Sequence, residues 1–256
     1  MKLCRFKHQS ETGPRYGVLE EDYVRPLIDD IFAPHPRASS DKIPLAEISM
    51  LAPVAPSKIV CVGRNYMEHA AELGNAVPTE PLLFLKAPSS IIGPGEIIRL
   101  PPESAQVEHE GELGVVIGRT ASHLTDSENP FEYILGYTCV NDVTARDLQR
   151  KDVQFTRAKS FDTFCPTGPF IVTDPVQEHF LVSARVNGET KQQASTSTMA
   201  FSVSHLIRYI SCAMTLNPGD LIATGTPAGV SILNDGDMIE IEIDGIGTLS
   251  NGVRGF

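Results

Sequence analysis

The sequence predicts a mainly β protein with few helices, an α+β chain of packed or rolled sheets behind a small β-rich N-terminal appendage. Three observations carry this expectation. From Lys58 onward, short apolar runs recur between Gly and Pro residues, as expected of short strands joined by turns. The run Met238-Ile239-Glu240-Ile241-Glu242-Ile243 alternates strictly, which places Ile239, Ile241 and Ile243 on one face of a strand. The best apolar stripe at helical spacing covers residues 202–214.

Residues 1–56 read apart from residues 57–256. Strand-like pieces at 2–6, 16–19 and 23–28 are separated by turn residues, and a Pro-rich stretch over 33–56 reads as a linker. Further strands are expected at 59–62, 82–85, 113–117, 133–140, 170–172, 181–186, 221–224 and 238–243. The main helix presents Val203, Leu206, Ile207, Ile210 and Met214, with Ser202 able to cap its start. Shorter helical pieces are expected over 144–151 and near 66–73.

A chain of 256 residues suits one large domain, with or without an appendage. Its 41% hydrophobic and 21% charged content is ordinary for a soluble globular protein. The formal net charge of -11 argues against a nucleic-acid binder, which needs clustered Lys and Arg. An anionic substrate would need a metal or a few placed cations against that field. The five cysteines are odd in number, dispersed and free of any C-x-x-C pair. This disfavours zinc ribbons and thioredoxin-like sites, and a reducing cytoplasm is expected. The opening MKLCRFKHQSETG has no apolar core of a signal peptide, and no run approaches the ~20 apolar residues of a membrane helix.

Five segments hold residues suited to chemistry. In His109-Glu110-Gly111-Glu112-Leu113, a strand would project Glu110 and Glu112 from one face. Adjacent carboxylates repel unless a cation lies between them, and a hard divalent ion suits their oxygens. Glu108 shares that face, so spacing alone does not choose the pair. An acidic edge strand facing solvent gives the same pattern. In Val140-Asn141-Asp142-Val143-Thr144-Ala145-Arg146, a strand ends in Asp142, which could complete a three-carboxylate site or cap a helix. Arg146 and Gln149 would share a helical face, able to meet a ligand carboxylate or to pair at the surface. Lys159 stands among small and apolar residues and could stabilise an oxyanion, or pair with Asp162. His69 and Glu72 are three apart, so Glu72 could orient His69 as a general base on one helical turn. Finally, Thr224-Gly225-Thr226-Pro227 closes a strand with hydroxyls and backbone N–H groups able to hold a carboxylate. No P-loop and no dinucleotide-binding G-x-G-x-x-G follows a strand.

Taken in order, Gly63-Arg64-Asn65-Tyr66 with His69 and Glu72, Phe84-Leu85-Lys86, Ser89-Ser90-Ile91-Ile92-Gly93-Pro94, Glu110-x-Glu112-Leu113, Asn141-Asp142-Val143-Thr144-Ala145-Arg146, Lys159-Ser160-Phe161-Asp162 and Thr224-Gly225-Thr226-Pro227 resemble the fumarylacetoacetate hydrolase family over about residues 57–256. The resemblance implies a mixed β-roll or β-sandwich catalytic domain, usually a homodimer, with Mg2+ or Mn2+ (Ca2+ as a substitute in vitro) in the site. It assigns Glu110, Glu112 and Asp142 to the metal and His69 and Glu72 to acid/base work. It assigns Lys159 to charge stabilisation, and Arg146, Gln149 and Thr226 to a small anionic 2-oxo-acid substrate. It also settles the choice against Glu108.

The implied chemistry serves three reactions. Hydrolysis of the carbon–carbon bond of an acylpyruvate, such as fumarylpyruvate or acetylpyruvate, is the first expectation. It draws on His69 and Glu72 to activate water. Decarboxylation or isomerisation, as of oxaloacetate or 2-hydroxyhepta-2,4-diene-1,7-dioate, needs the same enolate without the water. A non-catalytic carboxylate-binding protein on the same fold is the third expectation.

Overall fold

The structure, a computed structural model, describes residues 1–175 and 177–255. In chain order its strands are β1 (Lys2–His8), β2 (Arg15–Leu19), β3 (Tyr23–Pro26), β4 (Ile43–Pro44), β5 (Ile48–Leu51), β6 (Ile59–Gly63), β7 (Leu82–Lys86), β8 (Ile91–Ile92), β9 (Ile97–Leu100), β10 (Val107–Glu108), β11 (Gly111–Ile117), β12 (Ile134–Asn141), β13 (Thr144–Ala145), β14 (Cys165–Val172), β15 (Leu181–Val186), β16 (Glu189–Ser195), β17 (Leu221–Ala223), β18 (Met238–Ile243) and β19 (Gly247–Gly255). The helices are α1 (Met67–Glu72), α2 (Arg146–Lys151), α3 (Thr156–Lys159) and α4 (Val203–Ala213). The expected mainly β architecture with few helices is what the chain adopts.

Twelve strands form one mixed sheet in the order β4-β3-β2-β1-β14-β12-β11-β17-β6-β7, with β5 on β1 and β8 on β14. Five more form a second sheet, β16-β15-β18-β19-β9. The second sheet covers one face of the first. Leu113, Cys139, Phe170 and Val172 of the large sheet meet Val182, Ala184, Ile239, Ile241, Ile243 and Leu249 of the small one in one buried cluster. Alternation in β18 therefore has the cause read from the sequence: its isoleucines are core, while Glu240 and Glu242 turn outward to Arg185. Each such isoleucine contributes roughly 1.5–3 kcal/mol by leaving water. On the other face, Leu206, Ile207 and Ile210 of α4 pack on Val60, Val62, Val115, Ile117 and Ile222. Ser202 caps α4, accepting from the His205 N–H at 3.3 Å.

Several elements depart from the expected pattern. The Pro-rich stretch contains β4 and β5, because β5 finds a partner in β1 (Arg5↔Leu51 to His8↔Ile48). β1 in turn pairs with β14, so the N-terminal strands extend the large sheet. β16 has the sequence ETKQQAS. It is a polar edge strand ordered by its neighbour β15, and carries no apolar alternation of its own. Cys4, Cys61, Cys139 and Cys165 are buried free thiols, and Cys212 is exposed. No helix among the described residues is long and apolar enough to cross a membrane.

Candidate active site

The site begins with the register of two neighbouring strands. β11 and β12 run antiparallel with Gly111 opposite Asn141, which sets Glu110 and Glu112 beside Asp142 at the strand end. The Asp142 N–H donates to the Glu110 carbonyl at 2.8 Å, and the Glu110 N–H donates to Asn141 Oδ1 at 3.0 Å. One oxygen from each of Glu110, Glu112 and Asp142 lies within 4.8 Å of the others, and the residues are 4%, 2% and 0% exposed. Asp142 caps no helix; Ala145 holds the cap position of α2. The strand breaks after Glu108, which pairs through β10 with β13 and turns to Arg146. The interruption between β10 and β11 leaves Glu108 outside the group of three converging carboxylates.

Three buried cations brace the cluster. Lys159 donates to Glu110 Oε2 at 2.7 Å and Asp142 Oδ2 at 2.8 Å. Lys86, at the end of β7, donates to Asp142 Oδ1 at 2.5 Å and to the Val143 carbonyl at 3.1 Å. Arg146 spans Glu108 (2.7 Å from Nε) and Glu110, and its Nη1 donates to Gln149. Burial works against ionising Glu110, but the Lys159 and Arg146 charges outweigh it and hold its carboxyl below the usual range. Glu112 behaves oppositely. Burial, then the Asp142 and Glu110 charges, push its carboxyl well above the usual range, against the pull of Lys159 and the Gly225 N–H. An anionic cluster that raises the proton affinity of one member is short of positive charge, and three converging carboxylates suit a hard divalent cation.

Opposite stands the short helix α1. His69 is 4% exposed, and its Nδ1 lies 3.1 Å from Glu72 Oε2. Because a carboxylate accepts, Nδ1 carries the hydrogen of this bond, and Nε2 is the ring nitrogen outside it. Glu72 is itself fixed by the Gly229 N–H at 3.0 Å. The preceding Asn65 ties this wall to the sheet, donating to the Phe201 and Thr224 carbonyls and accepting from the Phe201 N–H. Gly225 is required there: its φ is +101°, and a Cβ would meet the Asn65 Cβ at 2.7 Å.

All nine residues singled out from the sequence line one cavity of about 400 Å³: His69, Glu72, Glu110, Glu112, Asp142, Arg146, Gln149, Lys159 and Thr226. Thr226 is buried, and its hydroxyl donates to the Gly111 carbonyl at 2.9 Å and accepts from Gln192 at 2.8 Å. Lys159 meets Glu110 and Asp142, and no ion pair joins it to Asp162 among the described residues. Sequence reasoning gave no role to Lys86, Arg64 or Arg150, and weighed Glu108 only as an alternative metal ligand, not as the partner of Arg146. A lysine closing the apolar run Leu82–Lys86 was the available signal for the first.

The fumarylacetoacetate (FAA) hydrolase C-terminal family matches residues 58–254, and the Rv2993c-like N-terminal family matches residues 1–53. The chain belongs to the fumarylacetoacetate hydrolase family. Among the members of that family, an uncharacterized protein of Archaeoglobus fulgidus is 51% identical over 82% of this chain and 84% of its own length. The oxaloacetate tautomerase YisK of Bacillus subtilis is 43% identical over 90% of this chain and 81% of its own. The crystal structure of 2-hydroxyhepta-2,4-diene-1,7-dioate isomerase from Mycobacterium marinum superposes with a TM-score of 0.90 at 42% identity, covering 100% of this chain and 98% of that one. As a fumarylacetoacetate hydrolase family fold, the molecule has its carboxylate cluster at the end of the two central strands and its hydrogen-bonded His69–Glu72 pair on the helix beyond β6.

Proposed function

We propose that the chain catalyses proton transfer at the carbon beside the oxo group of a small 2-oxo dicarboxylic acid, interconverting its enol and keto forms. The reading is carried by one observation: a histidine–carboxylate pair and a buried three-carboxylate cluster line the same cavity. The relatives named as an oxaloacetate tautomerase and a dienedioate isomerase support it. Proton transfer needs a base and a stabilised oxyanion, and no attacking water.

Glu110, Glu112 and Asp142 would hold Mg2+ or Mn2+, which as a Lewis acid stabilises negative charge on the substrate oxo oxygen. His69, fixed by Glu72, takes the proton from the carbon beside the oxo group at Nε2 and delivers it to the oxo oxygen, giving the enol; ketonisation runs the same transfer in reverse. Lys159 spends two of its three N–H donors on Glu110 and Asp142, leaving the third for the developing oxyanion. Arg146 and Gln149, hydrogen-bonded to each other, and Thr226 would set the substrate's orientation. Hydrolysis of an acylpyruvate is a second reading. It is favoured by a cavity of about 400 Å³, with space for a water beside a small acid, and would use the same base on that water.

The test follows the ultraviolet absorbance of enol oxaloacetate with Mg2+ and Mn2+, and analyses products from oxaloacetate, acetylpyruvate and fumarylpyruvate. The expected result is accelerated ketonisation, reduced about 10²–10⁴-fold in His69→Ala. Release of pyruvate and CO2, or cleavage of the acylpyruvates alone, would replace proton transfer by decarboxylation or hydrolysis. Oxalate binding with no turnover of any acid would make the chain a carboxylate-binding protein.

A further inference from the structure

Two arginines in the cavity have no role in the chemistry above. Arg64 follows β6 and is half-buried, and Arg150 lies at the exposed end of α2; both line the cavity. Neither meets an acidic partner among the described residues, although ion pairs are common elsewhere in the molecule. Arg150 donates to the neutral Gln106 at 3.2 Å, and its charge is left uncompensated. By contrast, Arg146 lies between Glu108 and Glu110, and Lys159 between Glu110 and Asp142.

The backbone at Arg64 carries a second sign. Its φ is +58°, the left-handed region that side-chain-bearing residues rarely occupy. Such a conformation persists only where its surroundings hold it. Here the next residue, Asn65, is anchored by three side-chain hydrogen bonds and by its carbonyl, which accepts from the Ala200 N–H at 2.7 Å. The guanidinium therefore hangs from a fixed backbone beside the cavity. Phe84, Phe155 and Leu82 supply an apolar wall of the same cavity.

The charges add a third. Lining the cavity are four carboxylates, on Glu72, Glu110, Glu112 and Asp142, and four cations, on Arg64, Arg146, Arg150 and Lys159. Behind the wall, Glu108 and Lys86 cancel. A divalent ion on the carboxylate cluster leaves two positive charges in excess, which a substrate dianion neutralises.

We propose that Arg64 and Arg150 form a subsite for the distal carboxylate of the substrate, selecting dicarboxylic over monocarboxylic 2-oxo acids. The inference rests on the 2-oxo-acid reading of the cluster for its proximal end alone. The buried floor takes the 2-oxo-carboxylate head, the apolar wall takes the carbon chain, and the arginines at the mouth take the far anion.

The test separates binding from turnover. With the full chain in Mg2+, calorimetry compares 2-oxoglutarate with 2-oxopentanoate, which has the same five carbons and no distal carboxylate. The wild type should bind the dianion about tenfold or more tightly, the scale of a charge-assisted hydrogen bond. Arg64→Gln and Arg150→Gln should each shrink that preference, the double variant should abolish it, and Arg64→Lys should restore part of it. Affinity for 2-oxopentanoate should not change. For oxaloacetate, KM should rise with kcat retained. Equal wild-type affinity for both acids, or variants that weaken both equally, would overturn the subsite whatever the turnover shows. A dianion preference lost in the variants, in a protein that turns over none of the acids tested, would uphold the subsite while removing the proposed activity.

Discussion

On the cavity floor, Glu110 and Asp142 each accept from two cationic side chains, and none of the three clustered carboxylates is more than 4% exposed. On the α1 wall, His69 is held by a single carboxylate that is 33% exposed, on a six-residue helix with no side-chain N-cap. The floor is made of fully buried ion pairs whose members depend on one another. The wall is a short element pinned at a few hydrogen bonds. Floor substitutions should therefore damage fold and metal binding together, whereas substitution of the His69–Glu72 pair on the wall should damage chemistry and spare the fold.

The sharpest way to break this comparison is Lys86→Ala. Removing one member of a buried pair leaves the Asp142 charge short of a partner, and unfolding in denaturant should show a loss of about 3–5 kcal/mol. A floor that tolerated the change would be less interdependent than its contacts imply. Next, His69→Ala should lower kcat about 10²–10⁴-fold while the thermal midpoint and Mg2+ affinity stay at wild-type values. A large stability loss there would erase the distinction between floor and wall. Addition of Mg2+ at about 100 times its Kd should stabilise the wild type by about 2.7 kcal/mol. Glu112→Gln should lose that protection, read by thermal shift, and His69→Ala should keep it. Asn65→Ala, which unties the wall, should cost about 1–3 kcal/mol and lower kcat without changing Mg2+ affinity.

The floor was more legible in the sequence than the scaffold around it. Glu110, Glu112 and Asp142 could be proposed because two strand ends carry acids at period-two spacing and at a strand terminus. His69 and Glu72 could be proposed because three-residue spacing defines a helical face. Their long-range company was not legible. Lys86 reaches Asp142 across 56 positions, and Glu108 meets Arg146 across 38. No local period records such contacts. β16 and the four-residue α3 were missed because a polar edge strand and a single helical turn take their order from neighbours. β5 was hidden in a Pro-rich stretch for the same reason, since β1 supplies its pairing.

The account depends most on whether the floor gathers a metal ion. Crystals grown with Mn2+ and oxalate would decide it through anomalous diffraction. The predicted result is one manganese peak per chain, bounded by oxygens of Glu110, Glu112 and Asp142, with oxalate completing its coordination. A map with no peak among those three carboxylates, or with manganese elsewhere and oxalate outside the cavity, would contradict it.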